Sequence, residues 1–117
     1  MPEMRPRVLI AHEEPMVARI LEHKLRREGH EVTCVRDAGA LACAMRDGGA
    51  DVLLLDTRVA PRPPEAPAHG WFAMIEARDE AGAHAAMQEG AAGLVRLPFK
   101  PTDVAAQVSA LLAMVRA

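Results

Sequence analysis

Asp56 closes the most apolar run of the chain, Val52-Leu53-Leu54-Leu55, so a carboxylate stands at the C-terminal end of what reads as a buried strand. A second polar cluster, His12-Glu13-Glu14, follows the apolar run Val8-Leu9-Ile10-Ala11 in the same way. Open parallel sheets place their chemistry beyond the carboxyl ends of their strands, which makes these two clusters the candidate site. No hydrolase triad, zinc-ligand spacing or dinucleotide fingerprint accompanies them, so an independent enzyme is not expected. Nucleotide binding through Arg58 and Arg62 would lack a glycine-rich phosphate loop. The plain alternative for Glu13 and Glu14 is a solvated helix start, favoured by the helix dipole.

The elements that must position these groups alternate between short apolar runs and helical patterns, which implies parallel βαβ units. The expected strands are Val8–Ala11, Glu31–Val35, Val52–Leu55, Trp71–Ile75 and Gly93–Leu97. A first helix starts at Pro15, tolerated in the opening turn, carries Met16, Val17, Ile20, Leu21 and Leu25 at helical spacing, and ends at Gly29. Asp37 caps a second helix that runs to about Arg46 and stops at Gly48-Gly49. Asp79 to Glu89 forms another, closed by Gly90. Thr102 is the expected cap of the last, whose buried stripe is Val104, Val108, Leu111, Leu112 and Val115. Residues 57–70 hold Pro61, Pro63, Pro64 and Pro67, which forbid a regular helix over most of that stretch.

With 117 residues, half of them apolar, the chain suits one domain over 1–117 with one core, beginning in a flexible N-terminus at 1–6. A formal charge of −2, with scattered basic residues, favours neither nucleic acid nor a membrane surface. The N-terminus has prolines and charges where a signal peptide needs an apolar stretch, so the expected location is cytoplasmic. The two cysteines, Cys34 and Cys43, read as free thiols filling the core.

Taken together, this order of elements resembles the receiver domain of bacterial response regulators. The segments that carry the resemblance are Val8-Leu9-Ile10-Ala11-His12-Glu13-Glu14-Pro15, Asp51-Val52-Leu53-Leu54-Leu55-Asp56, Ala77-Arg78-Asp79-Glu80, Glu89-Gly90-Ala91 and Leu97-Pro98-Phe99-Lys100-Pro101. The resemblance implies an α/β, flavodoxin-like, doubly wound fold with a parallel five-stranded sheet in the order 2-1-3-4-5. It also implies two-component phosphorelay signalling, in which a histidine kinase passes a phosphoryl group to one aspartate, by position Asp56. Mg²⁺ would be held by Glu13, Asp56, the backbone carbonyl of Arg58 and, as a further candidate, Glu14.

Three positions depart from that pattern and mark the chain as an atypical, degenerate member. His12 stands where one of an acidic pair belongs, and imidazole is a poor ligand for a hard cation, so any Mg²⁺ would bind weakly. Glu76 replaces a hydroxyl donor with a like charge. Leu97 replaces a lysine. A unit charge about 4 Å from another is worth roughly 4 kcal/mol at an effective dielectric of about 20, so phosphorylation should be weak or absent unless Lys100, Arg58 or Arg96 compensates. The expected role is therefore a protein-interaction module, the alternative a genuine phospho-acceptor using Asp56 and Mg²⁺.

Between the third and fourth strands the Pro-rich loop 57–70 replaces a helix that receivers usually have. A parallel crossover of that length can be made without one, leaving a sheet face partly uncovered. Exposed apolar area marks interfaces, which predicts a homodimer, or a signalling partner, seated there with Trp71 and Phe72 as anchors.

Overall fold

The computed structural model describes residues 5–114. The remainder of the expected flexible N-terminus, residues 1–4, and Val115 of the last helical stripe lie outside the described residues. Five parallel strands, β1 (Arg7–Ala11), β2 (Glu31–Val35), β3 (Val52–Asp56), β4 (Gly70–Glu76) and β5 (Gly93–Leu97), form one sheet in the order β2-β1-β3-β4-β5. The helices are α1 (Pro15–Arg27), α2 (Ala38–Asp47), α3 (Glu80–Gln88) and α4 (Pro101–Met114). This is the doubly wound, flavodoxin-like arrangement that the sequence predicts.

Side chains alternate across each strand, and the register keeps like with like: Val8 lies beside Val52 and Leu9 beside Leu53. Val8, Ile10, Val52, Leu54, Phe72 and Met74 therefore face α1 and α4, where they meet Leu21, Leu25, Val104 and Val108. Leu9, Ala11, Leu53, Leu55, Trp71, Ala73 and Ile75 face the other way, against Leu41 and Met45 of α2 and Ala83 and Ala86 of α3. A strand covered on both faces has no polar side to show, which is why β1 and β3 read as unbroken apolar runs.

Local capping sets where the helices begin. The Asp37 carboxylate accepts from the Ala40 N–H at 2.8 Å, and Asp79 accepts from Gly82 N–H at the same distance, satisfying donors that a helix start leaves free. The last helix corrects the expectation for Thr102. Pro101 already occupies its first turn, and the Lys100 carbonyl accepts from Asp103 and Val104, so Thr102 lies within the helix. Of the apolar residues at helical spacing on α1, Met16 and Ile20 are exposed, while Leu21 and Leu25, with Ala18, are buried. Cys43 is exposed rather than core-filling, and burial pushes the half-buried Cys34 thiol up to about 11. No helix among the described residues is long and apolar enough to cross a membrane.

Residues 57–69 form turns and bends with no helix, as the prolines require. At the far end of this loop Ala68 N–H donates to the Ala50 carbonyl and His69 N–H to that of Asp51, so the chain is docked along the entry to β3. Gly70 then turns into β4 with φ 143°, and a Cβ there would lie 3.2 Å from a Leu111 methyl, a position suited to glycine.

The expectation of an uncovered sheet face, and of Trp71 and Phe72 as its interface anchors, does not hold. Trp71 is 4% exposed and Phe72 5%. As neighbours on one strand they point to opposite faces, Phe72 into the α1/α4 core and Trp71 into the α2/α3 core, so no single surface could use both. The loop itself closes the gap: Val59 and Ala60 pack against the cluster that holds Leu53, Leu55 and Trp71. With Leu53, Leu55 and Trp71 buried there, the reason for placing a dimer contact on that face disappears. Trp71→Ala and Phe72→Ala should each cost about 3–5 kcal/mol of stability, read from urea unfolding at two protein concentrations. A loss of self-association with unchanged stability would contradict this packing.

Candidate functional site

β1 and β3 are neighbours in the sheet, so their carboxyl ends bring His12, Glu13 and Glu14 beside Asp56. The His12 N–H continues the β1–β2 pairing by donating to the Val35 carbonyl at 3.0 Å, which carries its imidazole inward instead of out to solvent. His12 and Asp56 are each only 1% exposed. Glu13 and Glu14 sit outside them, at the exposed rim.

The group that completes the site is the Arg58 side chain. Its backbone N–H donates to Asp56 Oδ1 at 2.9 Å, a short local turn of the kind aspartate favours. That turn brings the guanidinium back over the same carboxylate. Nε lies 3.2 Å from both Oδ1 and Oδ2, and Nη2 lies 3.1 Å from Oδ2. Nη1 reaches the other way, to Glu13 Oε1 at 3.3 Å and Glu14 Oε1 at 3.8 Å. One planar fork thus spans three carboxylates, a geometry open to arginine and not to lysine. These contacts push the Arg58 guanidinium further above its ordinary range, the hydrogen bond to Asp56 contributing most.

His12 forms the inner wall. Its Nδ1 accepts from the Glu14 N–H at 3.0 Å, which assigns the proton to Nε2. That Nε2 points at Asp56 Oδ2 across 3.7 Å, beyond hydrogen-bond length, and has no other partner. Burial lowers the His12 pKa below its ordinary 6.5, outweighing the pull of Asp56 in the other direction. At neutral pH the imidazole is therefore uncharged, and Arg58 is the cation that faces Asp56.

The remaining predicted residues fall elsewhere. Glu76 ends β4 exposed, beside Leu97 in register, and the Arg58 fork does not extend to it. Leu97 is half-buried and packs against the α1/α4 core, and the Leu97-Pro98 peptide bond is cis. Arg96 turns to the start of α3, donating to the Ala77 carbonyl at 2.9 Å and pairing with Glu80 at 3.4 Å. Lys100 is exposed and takes no part in the contacts around Asp56. Arg62 pairs with Glu89 at 3.6 Å. Of the three cations named as possible compensators, Arg58 is the one that compensates. It does so with a side chain that reaches Asp56 itself, whereas the resemblance gave its backbone carbonyl to the metal. The missed signal is its spacing: a residue two beyond an aspartate can both donate its N–H to the carboxylate and fold its side chain back over it.

The fit of Mg²⁺ to this arrangement is poor. Mg²⁺ needs oxygen ligands in near-octahedral order, and the space between Asp56 and Glu13 is spanned by a guanidinium, with an imidazole N–H on the inner side. Among the described residues no group of three or more His, Cys, Asp or Glu side chains is arranged to hold a metal ion.

No protein-family model matches the chain. A curated relative is the DNA-binding response regulator MtrA of Mycolicibacterium smegmatis, 29% identical over 120 residues that cover 96% of this chain and 53% of the relative. The chain thus spans about half the length of the curated relative it matches. Among solved structures, one described as a response regulator of Chloroflexus aurantiacus superposes with a TM-score of 0.80 at 20% identity, over 94% of this chain and 99% of the other. The chemotaxis response regulator CheY4 of Vibrio cholerae does so at 0.77 and 15%, over 92% and 99%. The chain has the fold of a response regulator receiver domain. In that receiver fold Asp56 ends the third strand and the His12-Glu13 pair follows the first, which are the places the resemblance gives to the phosphoacceptor and its acidic pair.

Two outcomes follow from the charges. A double-mutant cycle of Arg58→Ala and Asp56→Asn should show a coupling of about 1–3 kcal/mol in urea unfolding, because removing Arg58 alone strands a buried carboxylate. Coupling near zero would contradict the fork. His12 and His30 are both held below 6.5 by burial, so below that pH the unfolded chain binds protons that the folded chain refuses. Stability is full above pH 6.5 and should fall as pH drops through it, by up to about 1.4 kcal/mol per pH unit for each histidine. His12→Gln should flatten the pH dependence of the urea midpoint.

Proposed function

We propose that the chain acts in two-component signalling as an atypical receiver domain that is a phosphorylation-independent protein-interaction module. The observation that carries this reading is the Arg58 fork on Asp56. A carboxylate nucleophile needs free lone pairs and a cation shared with the incoming phosphoryl group. Here both oxygens of Asp56 are engaged by a group of its own chain. The hydroxyl and ammonium that would hold a transferred phosphoryl group are replaced by Glu76 and Leu97, and Lys100 and Arg96 do not take their place. On this reading the partner is a histidine kinase or another signalling protein of the cytoplasm, and the domain is not itself an enzyme.

A second reading is favoured by one observation: Asp56 and Glu13 lie within the span of a single guanidinium, close enough to share a cation. It makes the chain a phospho-accepting receiver once Arg58 swings aside. Incubation with a small phosphodonor and Mg²⁺, followed by intact-mass measurement, separates the two. The first reading expects no mass increase dependent on Asp56. A stoichiometric gain of one phosphoryl group that Asp56→Asn abolishes would establish the second.

A further inference from the structure

We infer that Arg58 is a tethered counter-ion seated in the cation position of the receiver fold, where it masks a divalent-cation site that Asp56 and Glu13 would otherwise form. The inference rests on the receiver reading for the expectation of a divalent ion, and on the geometry for everything else.

Three features of the chain support it. The first is placement. The contacts from Nε and Nη2 to Asp56 and from Nη1 to Glu13 put positive charge between the two carboxylates that a bound ion would have to share. The second is tethering. Arg58 is two residues from Asp56 and is locked to it through the backbone N–H as well, so its charge is presented intramolecularly, at an effective concentration in the millimolar range or above. A guanidinium is also weakly hydrated, whereas Mg²⁺ gives up its water reluctantly and demands a strict geometry. The third is the inner wall. His12 is buried, and its Nε2 proton is unpartnered and aimed at Asp56. It turns an N–H, and no oxygen ligand, toward that carboxylate. With Arg58 in place, one positive charge faces three carboxylates. Without it, Asp56 and Glu13 would be left on either side of the same space with no cation between them.

Arg58 is also suited to removal. Its side chain is 40% exposed and fills no core space, so truncating it opens no cavity beneath the sheet. The Val59 and Ala60 N–H groups bond the Asp56 carbonyl, and that turn keeps its shape without the guanidinium.

The test is Mg²⁺ binding by the whole chain, measured by calorimetric titration and by the Mg²⁺ dependence of the thermal midpoint at constant ionic strength. The wild-type chain should show no saturable binding at millimolar Mg²⁺. Arg58→Gln should gain it, with affinity tighter by about tenfold or more, and the double variant Arg58→Gln, Glu13→Gln should lose it again. Should Arg58→Gln fail to fold, Arg58→Lys serves. It keeps the charge and gives up the fork, so Mg²⁺ should compete detectably where it cannot in the wild type. Wild-type binding as tight as that of the variant would overturn the inference, and so would absence of binding in every variant that folds. The outcome is independent of the phosphodonor experiment. Modification of Asp56 would sink the interaction-module reading, while Mg²⁺ binding to the unmodified wild type would sink the placement of Arg58.

Discussion

A carboxylate that ends a strand covered on both faces cannot be solvated from its sides, and a buried anion without a partner is among the most expensive groups a fold can carry. Asp56 is in that position because β3 lies in the middle of the sheet, between β1 and β4, with helices above and below. Compensation has to arrive from the open end of the strand. Arg58 supplies it from two residues away, and the rest of the site is arranged around that pair. Glu13 and Glu14 accept the spare arm of the fork. His12, pressed against the same carboxylate, stays neutral because burial works against its protonation more strongly than Asp56 works for it.

The segment that leaves β3 serves both the site and the core. Its first turn returns Arg58 to Asp56, and the next two residues, Val59 and Ala60, lie against the apolar face that includes Leu55 and Trp71. On that same face Ala73 of β4 and Ala83 and Ala86 of α3 are buried in the cluster that Val59 and Ala60 join. The charge arrangement at the strand end and the coverage of the sheet are thus properties of one short stretch of chain.

The departures from the receiver pattern also fit together physically. An acidic pair after β1 would crowd Asp56 with more negative charge, and His12 relieves that crowding. A lysine after β5 would compete with Arg58 for the same carboxylate, whereas Leu97 packs into the α1/α4 core. Glu76, exposed at the end of β4, is solvated and adds little to the balance.

Much of this was legible in the residues alone. Unbroken apolar runs at Val8–Ala11 and Val52–Leu55 mark strands covered on both faces, Asp37 and Asp79 mark helix starts, and the four prolines after Thr57 rule out a helix, because each signal acts within a few residues of itself. The end of β3 as the site was legible for the same reason. What the sequence could not decide was which cation reaches Asp56, since Lys100, Arg96 and Arg58 are equivalent as letters and differ only in where their backbones aim them. Nor could it decide whether the face beside the Pro-rich loop was bare. Trp71 and Phe72 read as a pair, but alternation along β4 sends them to opposite sides of the sheet, and the covering of each depends on residues far away in the chain. Contacts made within a turn or a strand are written locally; those made across the sheet exist only once the chain has folded and the distances between its elements are set.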